Sequence, residues 1–400
     1  MVRPIDAVVA GHICLDVIPG LAHLPAGKFG DFLKPGHLII SGPATFSTGG
    51  PVSNTGLALH RLGIKTSLIA KVGSDPYGAI VRQLVERYDP ELTGGLVVDP
   101  GVPTSYSVIL SAPGVDRIFL HCPGANDEFD SEDVNYDLVA KARLFHFGYP
   151  PLMRKMYQDG GEELVRIYQK AKTCGTTTSL DMSFPDPSSE GGKADWPLII
   201  AKVLPFVDIF VPSFEEILFC LRRETYEDLS DQTADSLLEA ATPELVSDLG
   251  KQILDMGSKI AVIKLGDHGL YVRTSDSTRL AGMGTAAPAN PEDWANLELW
   301  SSCFKVEVVG TTGSGDATIA GFLSGLLRGL GPRETVTAAV AVGACNVEAA
   351  DALSGLYSWE DTLARIEAGW SKLPLDFQAQ GWEEIGAGLW QKGISQQEIR

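Results

Sequence analysis

Residues 310–316 read GTTGSGD, and this stretch sets the architecture expected for the rest of the chain. An apolar run ending at Val309 precedes it, and a segment of helical period follows it. Strand, glycine-rich turn and helix start form the arrangement that directs backbone N–H groups and the positive end of a helix dipole at an anion. Gly313 and Gly315 carry no side chain that would keep a phosphate from the backbone. The stretch predicts an anion-binding turn in an α/β fold.

Asp316 closes this turn and is predicted to lie in the first turn of the helix. A carboxylate beside a phosphate site repels the phosphate. Its presence there is explained if it accepts a proton from an attacking hydroxyl. The alternative is that Asp316 only caps the helix. The turn is not a Walker loop, because no GK[ST] follows, and not a dinucleotide fingerprint, because Thr318 replaces the third glycine. We interpret Asp316 as a catalytic base.

Apolar runs alternate with segments of helical period along most of the chain, which is typical of parallel βαβ units. Several runs are apolar throughout, as expected of strands covered on both faces. The sequence therefore predicts a doubly wound, mainly parallel sheet flanked by helices. The predicted strands are residues 7–10, 67–72, 144–147, 178–181, 207–211, 260–265, 270–273 and 305–309.

Some regions depart from this alternation. Residues 12–48 and 102–121 are rich in glycine, proline and β-formers, and 105–110 with 117–121 resembles an antiparallel hairpin, so we predict a small β-rich lid there. Residues 222–250 and 281–303 resemble insertions into one domain of residues 1–360. Residues 361–400 contain three tryptophans and are predicted to form a packed, helical C-terminal extension.

Composition excludes several classes of function. Lys plus Arg is 32 and Asp plus Glu is 51, and a formal net charge of −19 disfavours binding to nucleic acid or an anionic membrane. The chain contains no apolar run long enough to span a membrane and no apolar leader, so we expect a soluble, cytoplasmic protein. The six cysteines and seven histidines show neither zinc-site spacing nor disulfide density.

At this point the chain resembles the ribokinase-like, or PfkB-type, carbohydrate kinases. The GTTGSGD stretch is similar to the second signature of that family, DTxGAGD followed by a helix. STGGPVSNTGLALHRLG at 47–63 resembles the first signature, and KVGSDPYG at 71–78 resembles VGxDxxG. GAN at 124–126, VDIFVPSFEEI at 207–217 and IKLGDHG at 263–269 resemble further family segments in the same order. The resemblance implies a kinase that phosphorylates a hydroxyl of a small sugar-like substrate with ATP.

The resemblance also implies the roles of individual residues. Asp316 would be the base, and the N–H groups of Gly313, Ser314 and Gly315 would form the anion hole. Four residues would hold the substrate hydroxyls: Asp16, Gly49, Gly50 and Asn54. Four would lie along the nucleotide: Lys264, Gly266, Gly269 and Thr311. Glu216 would orient water around a magnesium ion that bridges the phosphates.

For several of these residues a structural role is an open alternative. Asn54 suits a helix start, Glu216 suits a solvated helix face, and Gly266 and Gly269 suit a hairpin turn. Ser213 stands where the family has the Asn of NxxE.

Gly310 stands where the family usually has an Asp that helps to build a potassium site. We therefore expect weak or absent activation by a monovalent cation.

Two other functions remain open on the sequence alone. A nucleoside kinase on the same scaffold would differ in what the lid encloses, and Phe46 and Tyr106 are candidates for stacking on a base. A catalytically silent sugar or nucleotide sensor would explain the departures at Gly310 and Ser213, although the retention of Asp316 argues against it. Lids of this family often pair across a dimer, so we also expect a homodimer.

Overall fold

The computed structural model describes residues 3–24, 34–113, 118–232, 237–375 and 379–393. Arg117 in the predicted hairpin and residues 25–33 in the predicted lid lie outside this part of the chain. Within it, no helix is long and apolar enough to cross a membrane.

Fifteen strands are described. In chain order β1 to β15 they are Ile5–Gly11, Cys14–Gly20, Gly42–Gly49, Thr66–Gly73, Leu96–Asp99, Tyr106–Leu110, Ile118–Cys122, Ala142–Gly148, Thr177–Leu180, Ile209–Phe210, Ile260–Lys264, Leu270–Thr274, Glu298–Ser301, Trp382–Gly386 and Leu389–Lys392.

The α-helices are numbered in the same way. Those described, α1 to α15, are Pro51–Arg61, Pro76–Glu86, Tyr136–Val139, Arg154–Tyr157, Glu162–Thr173, Glu190–Lys193, Trp196–Val203, Phe214–Leu221, Arg223–Gln232, Pro243–Asp255, Ser277–Ala281, Pro291–Trp294, Ser314–Leu327, Pro332–Asn346 and Trp359–Glu367.

Eleven strands form one sheet in the order β14, β15, β13, β12, β11, β10, β9, β8, β1, β4, β5. The seven strands from β11 to β5 pair in parallel, and the remaining strands continue the sheet in antiparallel pairs. Strand β1 shows why these segments are apolar throughout: Ala7 and Val9 belong to the core on one face, and Val8 and Ala10 to the core on the other. The predicted doubly wound, mainly parallel sheet is confirmed.

A second sheet has four strands in the order β3, β2, β6, β7. Strands β6 and β7 pair in antiparallel register, with Val108 opposite Leu120, as the hairpin prediction required. Only His12 and Ile13 separate β1 of the large sheet from β2 of the small one, so the small sheet is anchored at the carboxyl end of a central strand. It is the structural counterpart of the predicted lid.

Two predictions about the rest of the chain are wrong: a strand at residues 305–309 and a helical C-terminal extension. Residues 305–309 form no strand, because Val308 and Val309 are each 60% exposed rather than packed in the core. The next place in the sheet belongs instead to β13, which lies inside the region read as a loop-rich insertion and pairs with β12.

The C-terminal extension is not simply helical, since it contributes β14 and β15 to the sheet edge. The pairing of Trp390 with Trp300 across β13 and β15 supplies the apolar contact that a strand there requires.

Candidate active site

The side chains of the candidate site lie at or just beyond the carboxyl ends of parallel strands. His12 follows β1, Tyr149 follows β8, Asp181 follows β9, Ser213 follows β10 within three residues, and Lys264 is the last residue of β11. Carboxyl ends of neighbouring parallel strands meet at one edge of a sheet, which is where open α/β sheets bind ligands. The fold therefore gathers residues that are far apart in the sequence.

A cavity of about 440 Å³ opens at this edge. Eight of the residues predicted for catalysis and the nucleotide line it, together with Glu216 of the predicted magnesium site. They are Lys264, Gly266, Gly269, Thr311, Gly313, Ser314, Gly315 and Asp316. Apolar side chains also line it: Leu238, Phe304, Val306, Val308, Val340, Val347 and Leu373. Polar and apolar groups in one cavity suit the phosphates and the base of a nucleotide.

The glycine-rich turn begins helix α13 as predicted. Gly313 has a φ of 72°, and a Cβ atom there would lie 2.5 Å from the Cβ of Ala352, so only glycine fits. The first N–H groups of a helix have no carbonyl partner within it, and Gly315 lies in this first turn on the cavity wall. One of the three predicted donors is partly engaged, since the Ser314 N–H donates to the Thr311 carbonyl at 3.3 Å.

Asp316 is buried and held by three donors. Its Oδ1 accepts a hydrogen bond from the Thr55 hydroxyl at 2.8 Å. Its Oδ2 accepts from the Asn54 amide at 3.1 Å and from the Tyr149 hydroxyl at 2.9 Å. Three donors leave room for one further donor on a carboxylate, which has about four acceptor positions. The carboxylate does not cap its helix, because Gly313 occupies the cap position.

A second cavity, of about 620 Å³, lies beside the small sheet. Asp16 and Asn54 line it, as predicted for the substrate, and Phe46 of β3 lies on its wall. Thr312 faces this cavity while Thr311 faces the first one, so the glycine-rich turn separates the two spaces. Asn54 lines the second cavity and donates to Asp316, which lines the first.

The glycines of the first signature shape this end of the site. A Cβ atom at Gly49 would lie 2.5 Å from Oδ2 of Asp16, so a side chain at residue 49 would collide with that carboxylate. Gly50 has a φ of 89° and caps helix α1, which carries Asn54 and Thr55 in its first turns. Neither glycine lines the second cavity itself. They position Asp16 and Asn54, and Oδ1 of Asn54 is buried without a hydrogen-bond partner among the described residues.

Burial determines the protonation of Asp16, because removing a carboxylate from water disfavours its charged form. It raises the pKa of Asp16 from 3.8 to about 6, although the Cys14 thiol, which donates to Oδ1 at 3.4 Å, acts in the opposite direction. Asp16 is therefore mostly ionised at neutral pH but close to its titration range.

Lys264 brings a positive charge to the wall of the first cavity. Its Nζ lies 2.6 Å from Oδ1 of the buried Asp181. Burial alone would lower the pKa of Lys264, but the Asp181 and Glu216 carboxylates outweigh it and raise the pKa above its usual value. The ammonium group stays charged beside Gly315, where an added Cβ atom would lie 3.7 Å from Nζ.

Glu216 has a structural role as well as a place in the cavity. Its Oε2 accepts the Ser213 N–H at 2.6 Å, and the Ser213 hydroxyl accepts the Glu216 N–H at 3.3 Å, which forms a capping box at the start of α8. Ser213 therefore serves as a helix cap. Glu216 is half-buried and lines the first cavity.

The donors near Glu216 fit a magnesium ion that is held through water. Glu216 and Asp181 offer carboxylate oxygens, and Oδ2 of Asp181 is buried without a hydrogen-bond partner in the part of the chain that is described. No group of three metal-binding side chains occurs among the described residues, so direct binding by a cage of side chains is not supported there. Magnesium commonly keeps several waters and binds through one or two carboxylates plus phosphate oxygens.

Sequence reasoning did not single out Thr55, Tyr149, Asp181 or His12. The rule that ligands bind at the carboxyl ends of parallel strands points to the last three, because Asp181 ends a predicted strand and Tyr149 and His12 each lie two residues beyond the end of one. His12 is buried, and neither of its ring nitrogens has a partner among the described residues. Burial, and then the nearby His121, lowers the pKa of His12 to about 3, so the ring is neutral.

Comparison with known proteins shows the family of this chain. The family model for pfkB family carbohydrate kinases matches residues 31–358. A protein of Arabidopsis thaliana named as a probable chloroplastic fructokinase is 25% identical over 362 residues, which are 87% of this chain and 79% of that protein. Fructokinase-1 of Zea mays is 24% identical over 323 residues, which are 80% of this chain and 82% of that protein.

Solved structures show the same fold. Ribokinase of Arabidopsis thaliana, complexed with ribose and ATP, has a TM-score of 0.65 at 17% identity and covers 90% of this chain and 97% of its own. Fructokinase of Xylella fastidiosa with bound ATP has a TM-score of 0.65 at 17% identity, and the match covers 90% of this chain and 98% of that chain. The predicted ribokinase-like fold is confirmed.

Proposed function

The chain belongs to the pfkB family of carbohydrate kinases and is thus a sugar kinase, and we propose that it transfers the γ-phosphoryl group of ATP to a sugar hydroxyl with Asp316 as the base. The observation that carries this proposal is the position of Asp316. It lines the first cavity and accepts a hydrogen bond from Asn54, which lines the second. A sugar in one cavity and a nucleotide in the other would meet at this carboxylate.

In the proposed reaction the acceptor hydroxyl occupies the remaining acceptor position of Asp316. As its oxygen bonds to the γ-phosphorus, its proton passes to the carboxylate, and the bond from that phosphorus to the bridging oxygen breaks to release ADP. The amides of the α13 terminus and the Lys264 ammonium face the negative charge of the transferring group. Asn54 and Thr55 hold the carboxylate in place by direct hydrogen bonds.

Asp16 and Asn54 are proposed to bind other hydroxyls of the sugar. An ionised carboxylate accepts from hydroxyls, and the Asn54 Oδ1 without a partner offers another acceptor. Closure of the small sheet over the second cavity would exclude water, which competes as an acceptor of the phosphoryl group.

The proposed cofactors are ATP and Mg²⁺. Bound magnesium would neutralise phosphate charge, and Glu216 and Asp181 would hold its water ligands. We propose no potassium site at Gly310. A Cβ atom there would lie 3.0 Å from the Ala349 carbonyl oxygen and the Ala350 Cα, which leaves little room for the aspartate of the family pattern. A several-fold rate increase when potassium replaces a bulky organic cation would contradict this.

We also propose that the protein forms a homodimer through the small sheet. Edge strand β7 presents Ile118 and Leu120, which are 38% and 56% exposed, on one face of that sheet. Apolar surface of this kind is commonly covered by a partner. Sedimentation velocity at micromolar concentration tests the proposal, and a purely monomeric species would contradict it.

A screen of ADP release over pentoses, hexoses, sugar acids and nucleosides tests the function. Because the two relatives described above are named as fructokinases, we expect turnover with a free sugar. Preferred turnover of a nucleoside would instead assign the second cavity, with Phe46 on its wall, to a base and ribose. ATP binding without turnover of any compound would favour the silent sensor.

A further inference from the structure

The inference concerns residues 370–375, which we call the C-terminal strap. They lie beyond residue 358, where the match to the family ends, and before the terminal hairpin of β14 and β15. We infer that the strap forms part of the nucleotide site and that Leu373 is a determinant of nucleotide affinity. The inference rests on the proposed function, because it assigns the first cavity to a nucleotide.

The strap is paired with the chain segment that forms the cavity wall. The Lys305 N–H donates to the Ser371 carbonyl at 2.8 Å, and the Leu373 N–H donates to the Cys303 carbonyl at 2.7 Å. These bonds flank an antiparallel bridge between Phe304 and Lys372. The strap is therefore fixed to residues 303–305 by backbone contacts and not only by its own side chains.

Two apolar side chains reach the cavity from this pair of segments. Phe304 comes from within the family match and Leu373 from outside it, and both line the cavity. Their apolar side chains suit the flat apolar faces of a base. The strap thus supplies surface that the family domain alone would lack at this point.

The strap also supports Phe304 indirectly. The ring of Trp370 stacks on the ring of Phe304 with centroids 4.4 Å apart, and the Trp370 Nε1 donates to the Lys305 carbonyl at 2.9 Å. The Arg365 guanidinium lies 3.7 Å from the centroid of Trp370, and its two terminal nitrogens donate to Glu348 at 2.6 and 2.8 Å. Trp370 is thereby held between Phe304 and an ion pair, which restricts the wall to one arrangement.

The test measures binding of a non-hydrolysable ATP analogue to the full chain by calorimetry. We expect Leu373→Ala to weaken binding roughly five- to tenfold, because it removes apolar contact area from the base, and Leu373→Val to weaken it less. Leu375→Ala is the matched control: this leucine is in the same strap, but it packs against the core that contains Val8 and Ala10 and does not line the cavity. This control variant should bind the ATP analogue with an affinity within about twofold of wild type.

The outcomes separate this inference from the proposed function. Binding by Leu373→Ala that equals wild type overturns the inference, as does an equal loss in Leu373→Ala and Leu375→Ala. If Leu373→Ala does not fold, Leu373→Val replaces it, and binding by Leu373→Val that equals wild type or Leu375→Ala overturns the inference. If the wild-type chain does not bind the analogue, the proposed function fails first. As a second readout, the KM for the sugar should stay unchanged in Leu373→Ala while the KM for ATP rises.

Discussion

The hydroxyl of Tyr149 donates a hydrogen bond to Oδ2 of Asp316 across 2.9 Å. Tyr149 has a φ of 64° and precedes Pro150, a combination that sterics disfavour for an aromatic residue. Burial, and then the Asp316 carboxylate, raises the pKa of Tyr149 well above its usual value, so the hydroxyl remains a donor. A strained residue in contact with the proposed base indicates a positioning role.

Tyr149→Phe removes this donor and keeps the ring. We expect kcat to fall roughly tenfold because the base loses one of three fixed contacts, while the KM for ATP changes little. Steady-state kinetics with both substrates measures this split. Tyr157→Phe, which alters a tyrosine packed against Trp196 away from the site, is the control. An equal loss of kcat in both variants would show a general effect on the fold.

Asp316→Asn removes the proton acceptor but keeps the shape of the side chain. We expect kcat to fall at least roughly a thousandfold while ATP still binds, because both proton transfer and alignment of the hydroxyl are lost. Turnover and calorimetric ATP binding are measured on the same sample. Near-normal turnover would falsify the assignment of the base.

Lys264→Met leaves the buried Asp181 without its partner. We expect the free energy of unfolding to fall by at most about 3–5 kcal/mol, the usual cost of a buried charge left unpaired, because burial raises the pKa of Asp181 well above its usual value and favours uptake of a proton. The double variant Lys264→Met with Asp181→Leu should recover much of that loss but not the activity, because the charge facing the phosphoryl group is gone. Urea unfolding and kcat are measured for both. Recovery of activity in the double variant would show that the pair is only structural.

Glu216→Gln preserves a side chain that can complete a capping box but removes the charge. We expect more magnesium to be required for half-maximal activity and little change in the melting temperature. Ser213→Ala is the complementary control, since it should cost about 1 kcal/mol of stability through the lost cap and leave the magnesium titration unchanged. An unshifted titration in Glu216→Gln would remove Glu216 from the magnesium site.

The pKa of Asp16 predicts a pH dependence. Because this pKa is about 6 in the folded chain and 3.8 is its ordinary value, the folded state binds a proton more tightly than the unfolded one. The contribution of Asp16 to stability therefore decreases as pH rises through that interval. The KM for the sugar should rise as pH falls below about 6, because the carboxylate stops accepting hydroxyls. Asp16→Asn should flatten this profile, and an unchanged KM in wild type across it would exclude Asp16 from the sugar site.

The sequence was informative wherever the function depends on backbone conformation or on one residue in a fixed local place. The glycines of residues 310–316, the helix after them and the alternation of strands and helices are local features, so the turn and the parallel sheet were predictable. The place of Asp316 in the first turn of a helix was predictable for the same reason, because it depends only on its neighbours along the chain.

Contacts between distant segments were decided by packing. The donors on Asp316 come from residues 54, 55 and 149, and no local pattern reports that these side chains converge on one carboxylate. Strand β13, and not residues 305–309, joins the sheet, and the tail forms two strands and a strap. Both outcomes depend on which sheet edges and apolar faces remain available once the core has formed. Local preferences are weak compared with burial of apolar surface, so such choices are made by the assembled fold and not by any one segment.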